Sequence, residues 1–458
     1  MRKYIGDRQF YKTALGIAVP IMIQNGISNF VSLLDNLMIG RVGTNALSGV
    51  AITGQLIFVY YLLVFGAAAG IGIFTAQYHG QQNTEGIRYT FRAKLMVNMV
   101  ITIISVSVFY IFGSYFISLF LQGEGARADI ENTLAIGHSY MNLMLTGLFP
   151  VAITQAYAGT LRETGETRVP MYASFAAVFV NLIGNYILIY GHLGLPALGA
   201  DGAAIATDIS RVIELIILVV YTHTHSKKHP FIVGALSSLK VPGNLMLKFL
   251  YKSMPLMLNE GLWSLGTTVL NQCYSYRSLS AVAAINIETT IWNLLGVAFL
   301  AMGDAVGILV GQVLGTGDME KARDYARKLT AFTVFCGTVF AIGMAVISPF
   351  FPMLYNTTPE IRNLATRLIL LNAIFMPVSS YLHATYFIIR SGGRTGITMI
   401  FDSCFMLFIS VPIAYYISRY TGLDLLTMMT IILSVFIIKC IVGGAMVHAG
   451  IWARNIVS

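Results

Sequence analysis

Long runs without charge alternate along the chain with short stretches that carry several charges. Counting histidine as neutral, no charged side chain occurs from Val42 to Thr84 or from Leu95 to Gln122. A helix needs about 20 apolar residues to cross a bilayer. Both runs meet that length, and the first leaves room for a turn. The same division applied to the whole chain predicts helices over 13–38, 46–78, 95–121, 133–158, 169–191, 203–222, 253–276, 281–314, 329–355, 364–389, 396–418 and 425–448. The expected fold class is therefore an all-α membrane protein with twelve transmembrane helices.

Composition agrees with that pattern. Hydrophobic residues make up 56% of the chain and charged residues 11%, against about 25% charged in a soluble domain. That is too few to coat a water-exposed surface. The first apolar block runs from Thr13 past Leu34 with no small-residue cleavage site after it, so a cleavable signal peptide is not expected. The net charge of +9 raises nucleic acid as a partner, but the distribution argues against it. Placed by these boundaries, 21 basic residues fall in one set of alternate loops, from Arg2, Lys3, Arg8 and Lys12 to Arg454, and only six in the other. The positive-inside rule then puts both termini in the cytoplasm. The expectation is a monomer in a lipid bilayer, the inner membrane of a bacterium, with no nucleic-acid partner. Cys273, Cys336, Cys404 and Cys440 lack metal-like spacing and read as buried apolar residues.

The chain also repeats itself. Shifted by 235 residues, Pro20 falls on Pro255, Gly26 on Gly261, Gly72 on Gly307, Gln77 on Gln312, Gly80 on Gly315, Arg88 on Arg323 and Arg92 on Arg327. A shift of 228 aligns Arg162 with Arg390, Gly165 with Gly393, Thr167 with Thr395 and Met171 with Met399. This predicts an N-terminal six-helix lobe over 1–222, a cytoplasmic linker over 223–252 and a C-terminal six-helix lobe over 253–458. An even number of helices per half sets both halves the same way up, as in transporters that rock two lobes around a central cleft. Pro20 and Pro255 each kink the first helix of a half, as a bending element or as a fixed packing feature. The run from Gly66 to Gln77 suits close helix contact. In the linker, metal binding by His223, His225 and His229 is the weaker reading beside a plain solvated connection.

Ionisable groups at bilayer depth cost at least ~2.5–3.5 kcal/mol each and mark pairs or pathways. Asp208, Arg211 and Glu214 share one helix face and can neutralise one another in part. Asp402 and Lys439 lie on neighbouring helices and suit an ion pair. Asp35, Glu260 and Asp304 have no partner nearby in sequence. Such a carboxyl group can exchange a proton or, when ionised, bind Na⁺ or an organic cation. Glu288 is expected to be solvated near the outer end of its helix, and His138 and His383 to be hydrogen-bonded structural residues. No HExxH, GxSxG, paired catalytic aspartate, aspartate-rich diphosphate motif or P-loop occurs. No enzyme chemistry, catalytic residue, metal site or cofactor is expected.

Several stretches carry a resemblance. AVPIMIQNGISNFVSLLDNLMIGRVGTNALSGVAI begins at Ala18, TLRETGETRVPM at Thr160, VNLIGNYILIYGHLGLPALGADGAAIAT at Val180 and PLMLNEGLWSLGTT at Pro255. Together they resemble the multidrug and toxic compound extrusion (MATE) family, in a branch common among Firmicutes. The resemblance covers essentially the whole chain. It implies that Asp35 couples transport to H⁺ or Na⁺, within a network that includes Tyr140, Asn181 and Asn185. Asn185 stands where the family usually has an aspartate and cannot titrate. The acidic residue that some branches carry on helix ten is replaced by about Ser379. Glu260 and Asp304 are the candidates for a substrate or second cation site. The implied function is export of amphipathic, cationic small organic molecules in exchange for an ion. A lipid-linked oligosaccharide flippase of the same superfamily is the alternative. The scarcity of central Lys and Arg argues against it, because a diphosphate needs them.

Overall fold

The computed structural model describes residues 4–121 and 126–458. Arg2, Lys3 and Gln122 lie outside the described residues. The chain is a succession of helices, without strands among the described residues: α1 (Arg8–Gly40), α2 (Thr44–Gly80), α3 (Thr84–Phe120), α4 (Arg127–Glu163), α5 (Arg168–Tyr190), α6 (Ala200–Thr224), α7 (Gly243–Ser275), α8 (Leu279–Leu295), α9 (Val297–Gly315), α10 (Met319–Ile347), α11 (Pro359–Ser391), α12 (Thr395–Met399), α13 (Val411–Tyr420) and α14 (Leu425–His448). With α8 and α9 read as one broken span, and α12 to α13 as another, these form the twelve expected spans. Among the described residues nine helical stretches, with α12 to α13 counted as one, are long and apolar enough to cross a membrane. The lipid-facing side is written in residues such as Tyr110 and Ile111, 70% and 68% exposed on an apolar helix, where lipid rather than water is the solvent.

Three differences from the sequence expectation have physical causes. The helices overrun the apolar blocks: α3 begins at Thr84, eleven residues before the expected start at 95. Its first turn is capped by the Asn83 side chain, which accepts from the Gly86 amide. The expected eighth helix is broken at Gly296, whose ideal Cβ would lie 2.7 Å from the Trp292 carbonyl oxygen. The eleventh span contains two π-helical segments, Ile400–Cys404 and Met406–Ser410. Their wider turns re-aim side chains and are common at functional positions.

The expected linker is largely ordered. Arg88 Nε donates to the Phe231 carbonyl at 3.2 Å. Arg92 donates to the carbonyls of Gly234, Ala235 and Lys240 at 2.7, 2.9 and 3.1 Å. His223 meets the Tyr157 hydroxyl at 3.2 Å and His225 stacks on Tyr221. His229 is buried, and burial holds its pKa below the ordinary histidine value. His225 and His229 both lie against the Tyr221 ring, while His223 is held at Tyr157.

Packing divides the chain into two compact units. One comprises Met1–Met22, Ala76–Gln82 and Met254–Ser458; the other comprises Ile23–Thr75 and Asn83–Ser253. These units follow the sequence halves except in three helix segments. α1 changes unit between Met22 and Ile23, and α7 between Ser253 and Met254. Pro20 and Pro255 flank those two crossing points, where each removes one rung of its helix ladder. Within the unit that holds α4 to α6, Tyr60 ties α2 to α4 through the Leu148 carbonyl at 2.8 Å and to α3 through Thr102 at 2.9 Å. The glycine run on α2 serves close contact: a Cβ on Gly70 would lie 2.4 Å from the Ser253 Cα, and one on Gly72 would lie 1.9 Å from a Glu163 oxygen. Of the cysteines, Cys273 is buried, but Cys336, Cys404 and Cys440 are only half-buried.

In the unit that holds α9 to α14, the end of α2 crosses the end of α9. A Cβ on Gly80 would lie 1.9 Å from the Gln312 carbonyl oxygen, and one on Gly315 would lie 2.0 Å from that of Gln77. Backbone cannot yield as a flexible side chain does. Replacing Gly80 by alanine is expected to cost about 1–3 kcal/mol through overpacking. A lowered thermal midpoint of the purified protein in detergent checks this, and an unchanged midpoint would show that the two backbones part freely.

Candidate functional site

A polar network lines the α1, α4, α5 and α6 faces of the unit containing residues 23–75. Asn181 and Asn185 are one helical turn apart on α5 and so share a face. Both are buried. Asn185 Nδ2 donates to Asp35 Oδ1 on α1 at 2.6 Å and to Asn181 Oδ1 at 3.2 Å. Asn181 Nδ2 in turn donates to Thr207 Oγ1 on α6 at 3.1 Å. Asp35 itself is half-buried. The Asn185 Oδ1 atom is buried and accepts no hydrogen bond. Tyr140 on α4 is buried and lies close enough to Asp35 to feel its charge, though it does not bond to it. Asp35, Asn181 and Asn185 are thus brought together by hydrogen bonds, with Tyr140 beside them.

The triplet on α6 is split between partners. Arg211 pairs with Glu214 at 3.2 Å, while Asp208 accepts from Thr146 Oγ1 at 2.6 Å. Glu214 also accepts from Ser174 at 2.5 Å, and Gln24 joins Ser174 at 2.7 Å to Arg162 at 3.2 Å. A further pair, buried Lys94 with Glu163, escaped the sequence reading because both residues fell just outside the expected spans. The charge-free run beginning at Leu95 was the available signal, since Lys94 abuts it.

A second network occupies the unit containing residues 254–458. Lys439 Nζ on α14 donates to Asp402 Oδ1 at 2.6 Å, as the sequence suggested. Asn259 Nδ2 on α7 donates to Asp402 Oδ2 at 3.3 Å, and Ser403 Oγ donates to Asn259 Oδ1 at 2.7 Å. Glu260 lies within electrostatic reach of Arg390, Asp402 and Asp304, so the two sequence candidates Glu260 and Asp304 fall in one cluster. His138 meets Asn142 at 3.4 Å, and His383 meets the Ser379 carbonyl at 3.0 Å, each a structural contact within its own helix. Glu288 corrects its expectation. It is not solvated but 6% exposed, and Asn372 Nδ2 donates to it at 2.9 Å. Residues near it in sequence on α8, Ile285, Ile287 and Ile291, and near Asn372 on α11, Leu368 and Ile369, are buried and apolar.

Comparison with known proteins bears on what such a molecule does. The profile of the MatE family matches residues 20–187 and 255–416. Over 89% of this chain and 87% of its own length, a protein of Bacillus subtilis named "Probable multidrug resistance protein YoeA" is 25% identical. A Thermotoga maritima protein named "Probable multidrug resistance protein NorM" is 23% identical over 91% and 87%. An "FAD transporter" of Shewanella oneidensis is 24% identical over 76% and 75%. Among solved structures, one described as the outward-facing conformation of a multidrug resistance MATE family transporter of the MOP superfamily superposes with a TM-score of 0.85 over 98% of both chains at 19% identity. That likeness is one of fold.

The pair between Lys439 and Asp402 gives a test of the second network. The two side chains are 10% and 26% exposed. Removing one member of a buried pair leaves an uncompensated charge, while removing both is often neutral. Lys439→Met is expected to lower stability by about 3 kcal/mol, the low end for buried pairs because Asp402 keeps some exposure. Adding Asp402→Asn should restore most of the loss. Thermal unfolding of the single and double variants reads the difference.

Proposed function

Because this chain belongs to the MatE family of transporters, we propose that it exports amphipathic, positively charged organic molecules in exchange for H⁺ or Na⁺, by alternating access of two lobes. The observation that carries this reading is the hydrogen bond from Asn185 to Asp35 at 2.6 Å. A half-buried carboxyl group with one oxygen fixed by an amide keeps its other oxygen for an exchangeable ion. The buried Asn185 Oδ1 atom, which lacks a donor, supplies a second oxygen facing the same network. Loading of Asp35 with a proton or Na⁺ removes its attraction to Arg211 and changes how α1 packs on α5. Because α1 changes packing unit two residues after Pro20, a change at Asp35 is transmitted along one helix.

Charge supports a cationic cargo. Asp35, Asp208, Glu260, Asp304 and Asp402 contribute carboxyl groups within the spans. Arg211 and Lys439, the cations that fall in neither loop group, are each paired with a carboxylate. A diphosphate-bearing lipid, as a flippase would carry, needs cations free to receive it. Methionine and aromatic side chains adapt to varied apolar bodies. The names of the multidrug relatives agree with a broad small-molecule range. On this reading residues 1–222 and 253–458 act as the two lobes with 223–252 between them, the protein works as a monomer in the inner membrane of a bacterium, and both termini are cytoplasmic.

Reconstitution into liposomes tests the proposal. A fluorescent organic cation is followed under separately imposed H⁺ and Na⁺ gradients, with Asp35→Asn alongside. Gradient-driven movement is expected under one of the ions and should fall to background in the variant, whose thermal midpoint stays close to that of the parent protein. Full movement in the variant would overturn the role of Asp35.

A further inference from the structure

Glu288 differs from the other carboxylates buried in the spans. Glu163, Glu214 and Asp402 each pair directly with Lys or Arg. Glu288 accepts from Asn372 Nδ2 at 2.9 Å and from its neighbour Thr289 at 3.4 Å, and no described Lys, Arg or His pairs with it. Tyr274 on α7 is the titratable side chain that faces it. From α8 and α11 come only the neutral groups Thr289 and Asn372. A lone ionised carboxylate in such a surround is costly, and binding a proton removes that cost.

The internal repeat shows that a carboxyl group is not needed there for packing. At the shift of 235 residues that relates α2 to α8 and α9, Glu288 falls on Thr53. Thr53 Oγ1 donates to the Gly137 carbonyl at 3.0 Å, bridging α2 to α4 just as Glu288 bridges α8 to α11. One hydroxyl therefore suffices at this bridge in the first half. The second half carries a titratable group at the same place. Asn372 Nδ2 also donates to the Leu368 carbonyl at 3.2 Å. Two acceptors thus fix the amide with its nitrogen toward the carboxyl group. Asn372 turns its nitrogen and no oxygen toward the site, which disfavours a metal cation, since that needs a shell of oxygens, and leaves a proton on the other carboxyl oxygen as the ion it can take.

We propose that Glu288, oriented by Asn372, is a second proton-binding site, separate from Asp35. One proton is taken from water onto the carboxylate, forming the O–H bond of the neutral acid, and is returned to water when the α8–α11 bridge rearranges. Binding of the proton stands independently of the transport reading. Only its use in coupling rests on that reading.

Infrared spectroscopy of the purified protein tests the site through the carbonyl stretch of a protonated carboxylic acid. The expected result is a band at neutral pH that shifts in deuterated water, disappears on titration to alkaline pH, is missing in Glu288→Gln and remains in Asp35→Asn. If Glu288→Gln fails to fold, Asn372→Ala serves. It keeps the acid but removes its donor, and should displace both the band and its titration midpoint. A spectrum unchanged by Glu288→Gln, or a Glu288 band that neither exchanges nor titrates, would overturn the proposal and leave a fixed structural acid. In liposomes, Glu288→Gln should lower the number of protons moved per cation. Unchanged proton counts would remove the coupling role while the spectra still judge binding. Absence of movement by the parent protein under both the H⁺ and the Na⁺ gradient would instead count against the proposed function.

Discussion

Lipid offers no hydrogen bonds, so each polar group carried into the spans has to find its partner inside the protein. This constraint orders most of what is seen. Hydroxyl groups fold back onto their own helix, as Thr222 does on the Leu218 carbonyl and Ser380 on that of Met376. Buried or half-buried cations take carboxylates: Lys94 with Glu163, Arg211 with Glu214, Lys439 with Asp402. Asp35 and Glu288 are in none of those pairs, and each is held directly by the amide of an asparagine. An amide orients a carboxyl group without neutralising it. Such a group keeps the choice between ionised and protonated forms that an ion pair would foreclose.

Much of the fold was legible because its cause is one-dimensional. Length without charge predicts a span whatever packs around it. What the pattern missed depended on three-dimensional neighbours. Charge-free runs mark where lipid begins, not where helices end, so α3 extends eleven residues before its apolar run. The break at Gly296 and the π-helical turns around Asp402 leave no period in the sequence that a reader could find. The boundary between packing units falls inside α1, α2 and α7, and sequence halves cannot reveal a helix that packs with the opposite half.

The candidate site was legible in unequal parts. Asp35, Asn181 and Asn185 came from a resemblance, and geometry joins them. The pair of Asp402 and Lys439 came from opposite charge on adjacent helices, which is a strong signal in a chain with so few intramembrane charges. Glu288 lies near a helix end but away from water, 6% exposed, which no sequence pattern expresses. The side chain is covered by α11, and the residue that covers it, Asn372, carries no charge to draw attention to it.

The repeat also separates what packing requires from what chemistry requires. Gly80 meets the Gln312 backbone while Gly315 meets that of Gln77, so equivalent residues of the two halves contact each other reciprocally. Such a contact constrains both copies at once, as in a two-fold interface, and glycine and glutamine stand in both. The polar centres face no such constraint. At the same shift Asp35 falls on Leu270, a buried residue 6% exposed, and Glu288 falls on Thr53. Asp35 therefore stands on the first helix of one half and Glu288 on the second helix of the other, within backbones of like design. If both proposals hold, ion-binding groups at non-equivalent positions can respond to different steps of one conformational cycle. Duplicated sites at equivalent positions would respond alike.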